Sequence, residues 1–203
     1  MELPLPSTFH SQLSGDRLET ISTWLIEEWY ATEEDLVRDT DNNYTRGCTT
    51  FMRQRVRIMK EAQGGKYSWL GMSSTGNDLV FTIDGIPCRY SNDDATNPSK
   101  DAVTTANRHQ ASFLDFDNVV GPTRFCFVID RGVEGIGDPH VEFLGYTAAG
   151  TLTTRWVSST VRVFQTVGDQ PLVQAVPVDK PVVAPKRRDV DAANDGNVAR
   201  RQS

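Results

Sequence analysis

Leu79-Val80-Phe81-Thr82-Ile83-Asp84-Gly85-Ile86-Pro87-Cys88-Arg89-Tyr90 decides the fold. Two short apolar runs flank an Asp-Gly dipeptide. A two-residue hairpin turn needs positive φ at both central positions, which Asp and Gly adopt more readily than other residues. The stretch predicts two antiparallel strands, 79–83 and 86–90, joined by a tight turn. Pro87 has no N–H to give to a ladder, so the second strand is expected at a sheet edge or to begin there.

Downstream, the two-residue period continues. Tyr67, Trp69 and Leu70 begin a strand ahead of the hairpin. The runs 123–129, 141–146 and 152–157 predict three more, the last two joined by a turn at Ala149-Gly150, and 161–164 reads as a final edge strand. Turn signals between successive strands favour an antiparallel meander of five or six strands. The interval 91–121 is polar and turn-rich, with a short helix expected around 102–109.

Upstream, the period changes to that of a helix. Asp16 and Glu19 have capping-box spacing, and Leu18, Ile21, Leu25 and Trp29 form one apolar stripe. Thr32-Glu33-Glu34-Asp35 resembles a second N-cap, so a break near Ala31 and a restart through Arg38 are expected. The next helix spans 44–62 and stops at Gly64-Gly65. At 100° per residue, Tyr44, Cys48, Phe51, Ile58, Met59 and Ala62 share one side, while Arg46, Arg53, Arg57 and Lys60 share a narrow arc on the other. Arg55 lies among Phe51, Met52, Ile58 and Met59. It must snorkel or meet a carboxylate, with Glu28 and Glu33 as the expected partners.

The fold class is therefore α+β: an N-terminal helical segment packed on an antiparallel meander. Residues 1–13, with Pro4 and Pro6, read as an extended arm, 14–166 as the single domain, and 167–203 as a Pro-rich, then polar, disordered tail. The apolar share of 38% is low for a fully packed chain and agrees with such a tail.

Charge is divided along the helical part. Residues 1–43 carry ten acidic and two basic side chains, and 44–66 carry six basic and one acidic. The acidic residues are spread around the first helical segment and the basic ones are gathered, so the split is not expected to close as one intramolecular zipper. The net charge of −6 argues against bulk nucleic-acid binding but leaves a local basic patch open.

Cys48, Cys88 and Cys126 have no metal-ligand spacing and read as reduced, mostly buried thiols. The first residues lack a secretory pattern and no apolar run approaches about 18 residues, so no membrane span and a cytoplasmic location are expected.

Asp138-Pro139-His140-Val141-Glu142 places Asp138, His140 and Glu142 on one strand face, where they could bind a divalent metal or supply an acid–base pair. The solvent side of an amphipathic strand explains the same pattern, with Pro139 putting Asp138 in the preceding turn. Asn92-Asp93-Asp94-Ala95-Thr96-Asn97 lacks EF-hand spacing and reads as a turn. The glycines at 132, 135 and 137 read as a strand–strand loop. Asp84 and Asp130, at strand ends, are the remaining acidic residues for a nuclease-type metal site.

The functional expectation is a non-enzymatic intracellular interaction protein, an accessory, antitoxin-like or phage/mobile-element-type factor. It binds a protein partner through Arg46, Arg53, Arg57 and Lys60, and no cofactor is expected. The alternatives are a metal-dependent enzyme such as a nuclease on the Asp138/His140/Glu142 face, and nucleic-acid binding through the basic arc and Lys186-Arg187-Arg188.

Overall fold

Asp84 and Gly85 have φ of 46° and 84°, and the chain reverses between them as the two-residue hairpin turn that the sequence predicts. The computed structural model describes residues 3–111, 121–132 and 138–159. The predicted strand 161–164 and the tail 167–203 lie outside the described residues.

The order of elements is a 3-10 turn (Pro6–Thr8), α1 (Gly15–Asp35), α2 (Asn43–Gln63), β1 (Leu70–Ser74), β2 (Val80–Ile83), β3 (Ile86–Asn92), the single-turn helices α3 (Asp101–Thr104) and α4 (Arg108–Ala111), β4 (Arg124–Asp130), β5 (His140–Tyr146) and β6 (Leu152–Val157). The six strands lie in chain order in one sheet.

Four of the five strand pairs are antiparallel, and β3 pairs with β4 in parallel, Cys88 opposite Phe125 and Asn92 opposite Ile129. A parallel pair needs a crossover of a dozen or more residues. The interval between Asn92 and Arg124, with α3 and α4 in it, supplies one. The meander is thus interrupted once, at its centre, and β3 is an interior strand. Pro87 fits there because its nitrogen precedes the first β3–β4 pair at Cys88 and Phe125. Its own partner on β2 is Thr82, next to the hairpin-closing pair Ile83 and Ile86.

α1 is continuous from Gly15 to Asp35 and does not break near Ala31. Thr32 is buried, and its hydroxyl donates to Glu28 O at 2.7 Å, so it bonds back into its own helix and caps no new one. The N-cap is Ser14 with extended backbone, and Asp16 stands in the first turn. α2 begins one residue earlier than the sequence suggests, with Asn42 as its cap: Asn42 Oδ1 accepts from Thr45 N at 2.9 Å.

Alternation along the strands gives the sheet two unlike faces. Phe81, Ile83, Cys88, Tyr90, Phe125, Phe127, Ile129, Val141 and Phe143 join Leu18, Ile21, Leu25 and Ile58 of the two long helices in the main core. α1 lies against β4 and β5, and α2 against β1 and β3. The other face carries a smaller cluster of Cys126, Val128, Leu144 and Tyr146 beneath Ala95 and Val103 of the crossover. Both faces of β3 and β4 are therefore covered, as parallel strands usually are.

Residues 3–13 are fastened to this domain. Thr154 Oγ1 donates to Pro4 O at 2.6 Å, the His10 ring meets Phe125 edge-on at 5.5 Å, and Leu13 is buried in the core. A 3-10 turn at Pro6–Thr8 replaces the fully extended arm. No helix among the described residues is long and apolar enough to cross a membrane.

Candidate functional site

The basic arc of α2 turns toward α1. Arg53 Nη1 lies 2.7 Å from Asp35, and Arg57 reaches Glu27 and Glu28 at 3.7 Å and Glu61 at 2.9 Å. Arg46 donates to Leu36 O at 3.2 Å and stands 4.0 Å from Glu33. The acidic first helix and the basic second helix form an intramolecular seam, contrary to the expectation from their spread. Acidic residues distributed around α1 still leave Glu27, Glu28, Glu33 and Asp35 along the flank that meets α2. Lys60 is exposed and has no ion pair among the described residues.

Arg55 does not reach Glu28 or Glu33. Its guanidinium donates to two backbone carbonyls of the β1–β2 loop, Gly76 O at 3.3 Å and Thr75 O. A rigid fork of N–H donors suits carbonyl oxygens as well as carboxylates.

Beside the seam, α2 exposes two apolar side chains one turn apart, Met52 at 48% and Val56 at 41%. They stand in an open groove of about 620 Å³ with Glu28, Thr49, Arg53, Arg57, Lys60 and Glu61 around them.

A second hollow, of about 740 Å³, lies at the carboxyl ends of the parallel strands β3 and β4. Ligands of open parallel sheets settle at such ends. Asp138 and His140 line it together with Asp93, Asp94, Asp130, Lys100 and Arg131. The structure thus gathers most of the acidic candidates at one place.

Their oxygens, however, already hold the loops. Asp93 accepts from Ser99 N at 2.9 Å and Lys100 N at 2.8 Å, and Asp94 from Thr96 N at 2.8 Å and Thr96 Oγ1 at 2.7 Å. Those Thr96 bonds hold the Asp94 carboxyl below its ordinary pKa. Asp130 accepts from Ala95 N at 2.9 Å and Gly132 N at 2.8 Å. The segment 92–97 is the side-chain-stabilised turn that its composition implies.

Glu142 is separate from this hollow. Its side chain is 2% exposed and takes both oxygens to Arg155, at 2.7 Å from Nε and 2.5 Å from Nη2. This pairing raises the Arg155 pKa. His140 Nε2 lies 3.2 Å from Glu142 Oε1, and Nδ1 lies 3.2 Å from Asp138 O. Both neighbours are hydrogen-bond acceptors. Asp138 precedes the strand, as Pro139 implies.

Asp84 is remote from Asp130. It sits in the β2–β3 turn, paired with Arg17, at the opposite end of β3, about 20 Å away by strand rise. Among the described residues, no three His, Cys, Asp or Glu side chains are placed to hold one metal ion.

Of the three thiols, Cys88 and Cys126 are buried and Cys48 is exposed. Burial pushes Cys126 up to about 12 and Cys88 well above its usual value.

Two features carry no clear sequence signal. Gln54 and Asn92 form a buried amide pair, and Arg89 and Arg124 are buried on the second face of the sheet. Alternation marks both arginines as off the main core, and only the crossover above them reveals their burial.

Comparison of the chain with family models, curated proteins and solved structures returned no match.

Proposed function

We propose that this chain is a non-enzymatic interaction module that takes a protein partner on the outer surface of its helical layer. The observation that carries the reading is the pair Met52 and Val56, exposed one turn apart in a groove rimmed by charged side chains. An apolar centre with a polar rim is the usual anatomy of a protein-binding surface. Lys60 is the cation of the original arc still open to a partner. Arg46, Arg53 and Arg57 take a positioning role, holding α2 against α1. The fitting partner offers an aliphatic anchor for Met52 and Val56 and a carboxylate for Lys60. Three unpaired thiols support an intracellular setting.

The test compares the full chain with a Met52→Glu/Val56→Lys variant in pull-downs from the native host. The variant keeps its circular dichroism and its melt, because both side chains are surface-exposed. Loss of the partner from the variant supports the reading, and equal retention by both proteins sinks it.

A metal-dependent enzyme is the second reading: Asp130, Asp138 and His140 line one hollow at the β3–β4 ends, without converging on a single ion position. Stabilisation by Mg²⁺, Mn²⁺ or Zn²⁺ that is lost in His140→Ala supports it. Melts that no ion moves count against it. Nucleic-acid binding through the arc has less support, since a phosphate backbone must displace carboxylates already paired with Arg53 and Arg57.

A further inference from the structure

Arg89 and Arg124 occupy neighbouring strands on the sheet face turned away from α1 and α2. Arg89 stands beside Cys126 in the parallel register, and Arg124 is two residues before Cys126 on the same face. Strand geometry sets their Cα atoms about 8 Å apart. Each residue is only 6% exposed.

Among the described residues, one carboxylate is bonded to these two cations. Arg89 donates to Asp101 O at 3.2 Å, to Thr105 O at 2.9 Å and to the Asp78 carboxylate. Asp78 is also bonded by Asn107 Nδ2, so both its oxygens are engaged. Arg124 has no carboxylate or carbonyl bonded to it among the described residues. Its guanidinium lies over the Tyr146 ring, 4.9 Å from the centroid. That contact is made by the face of the cation and does not use its in-plane N–H donors. The Nε atoms of both arginines are buried and have no partner among the described residues. Buried arginines are normally paired, and an uncompensated buried cation is costly. In a chain of net charge −6, two guanidinium groups are buried side by side here, and among the described residues the one carboxylate bonded to them is that of Asp78.

We propose that Arg124, stacked on Tyr146 and supported by the charge of Arg89, is the anchor of an oxyanion-binding site that receives the carboxylate or phosphate group of a small ligand. A guanidinium fork matches either group through two parallel N–H···O bonds. The site is on the opposite face of the sheet from the helical groove, and the two readings stand or fall separately.

The test is thermal melting of the full chain in chloride, acetate and inorganic phosphate at matched ionic strength. A saturable upward shift of about 2–4 °C with one of the two oxyanions is expected. A shift with phosphate alone identifies a phosphate ligand, and one with acetate alone a carboxylate ligand. The general stabilisation by excluded salts does not saturate and persists in every variant. Arg124→Met removes the buried charge, so it melts at or above the wild type in chloride and shows no saturable shift. Arg124→Lys keeps the charge, loses the fork and shows a reduced shift. Two outcomes overturn the proposal: no saturable response in the wild type, or a full response in Arg124→Met.

Discussion

Gln54 on α2 and Asn92 at the end of β3 exchange two amide hydrogen bonds, Gln54 Nε2 to Asn92 Oδ1 at 3.2 Å and Asn92 Nδ2 to Gln54 Oε1 at 2.9 Å. Gln54 Nε2 also donates to Leu25 O at 2.9 Å, so one buried amide joins α1, α2 and the sheet. Such a pair fixes where α2 sits along β3. Removing one partner leaves the other buried without a bond, whereas removing both does not. Gln54→Leu is expected to lose about 1–3 kcal/mol. The double variant Gln54→Leu/Asn92→Leu should lose less than the two single losses together. Urea unfolding of the four proteins measures this, and strictly additive losses contradict the coupling.

The seam between α1 and α2 is a weaker bond per contact. Its side chains are a third or more exposed on at least one partner, Arg53 at 33% against Asp35 at 61%. Exposed ion pairs contribute about 0–1 kcal/mol each. Arg53→Ala alone should therefore lower stability by no more than about 1 kcal/mol. The exchanged pair Arg53→Asp/Asp35→Arg should recover part of that loss at low salt, with the recovery fading as salt is raised. Failure to recover at any salt concentration would mean that the arginine stem, and not its charge, holds the contact.

The hairpin at Asp84-Gly85 was readable because its cause is local: two adjacent residues that tolerate positive φ. The stop at Gly64 has an equally local cause. The parallel β3–β4 pair was not readable, because nothing within either strand says whether the partner runs with it or against it. The covering of the second face was hidden for the same reason. Arg89, Arg124 and Glu142 occupy the alternate positions that normally face water, and only the crossover and β6 bury them. The seam went unread because the arc on α2 is defined by one helix, while its meaning depends on which flank of α1 it meets. Asp138 and His140 were legible as a pair, with Asp130 or the Asp93/Asp94 loop as possible partners, and the β4–β5 and β3–β4 pairings bring Asp130 and Asp93 to the same hollow.

The three cysteines should react in two classes. Cys48 is exposed on α2, while Cys88 and Cys126 are buried with thiols pushed toward the protonated form. The thiolate is the reactive species, so a disulfide reagent near neutral pH should titrate one thiol in the native protein and all three after denaturation. Cys48→Ser should abolish the native reaction. A native count of two or three would place Cys88 or Cys126 within reach of solvent.

Gly145 is the tightest point of the β4–β5–β6 region. It lies opposite Phe125 on one side and Thr154 on the other. A Cβ there would stand 2.3 Å from Thr154 Cγ2, 3.0 Å from Phe125 Cε1 and 3.1 Å from Pro122 Cβ. Thr154 is buried and bonded to Pro4 O, so it cannot swing away freely. Gly145→Ala is expected to destabilise by about 1–3 kcal/mol through overpacking. Adding Thr154→Ser removes the nearest methyl and should return part of the loss. Chemical unfolding of the two variants decides this, and a neutral Gly145→Ala would mean that β6 shifts easily.

His10 ties the N-terminal residues to the sheet, and its titration should be visible in the stability of the whole domain. Burial lowers its pKa below the ordinary 6.5, and a backbone hydrogen bond with Pro122 opposes that shift in part. The folded state thus prefers the neutral ring that packs edge-on against Phe125. In the window between the lowered value and 6.5, the unfolded chain holds more protons than the folded one. Stability therefore rises with pH through that window. It is fully present above the unfolded value and is lost as pH falls toward the folded one. Wild-type Tm should drop between about pH 7.5 and about pH 5.5, before most carboxylates titrate. His10→Phe keeps an aromatic ring at Phe125 and removes the titration, so its Tm should fall less over the same range. Parallel Tm curves for the two proteins would show that His10 does not set the slope.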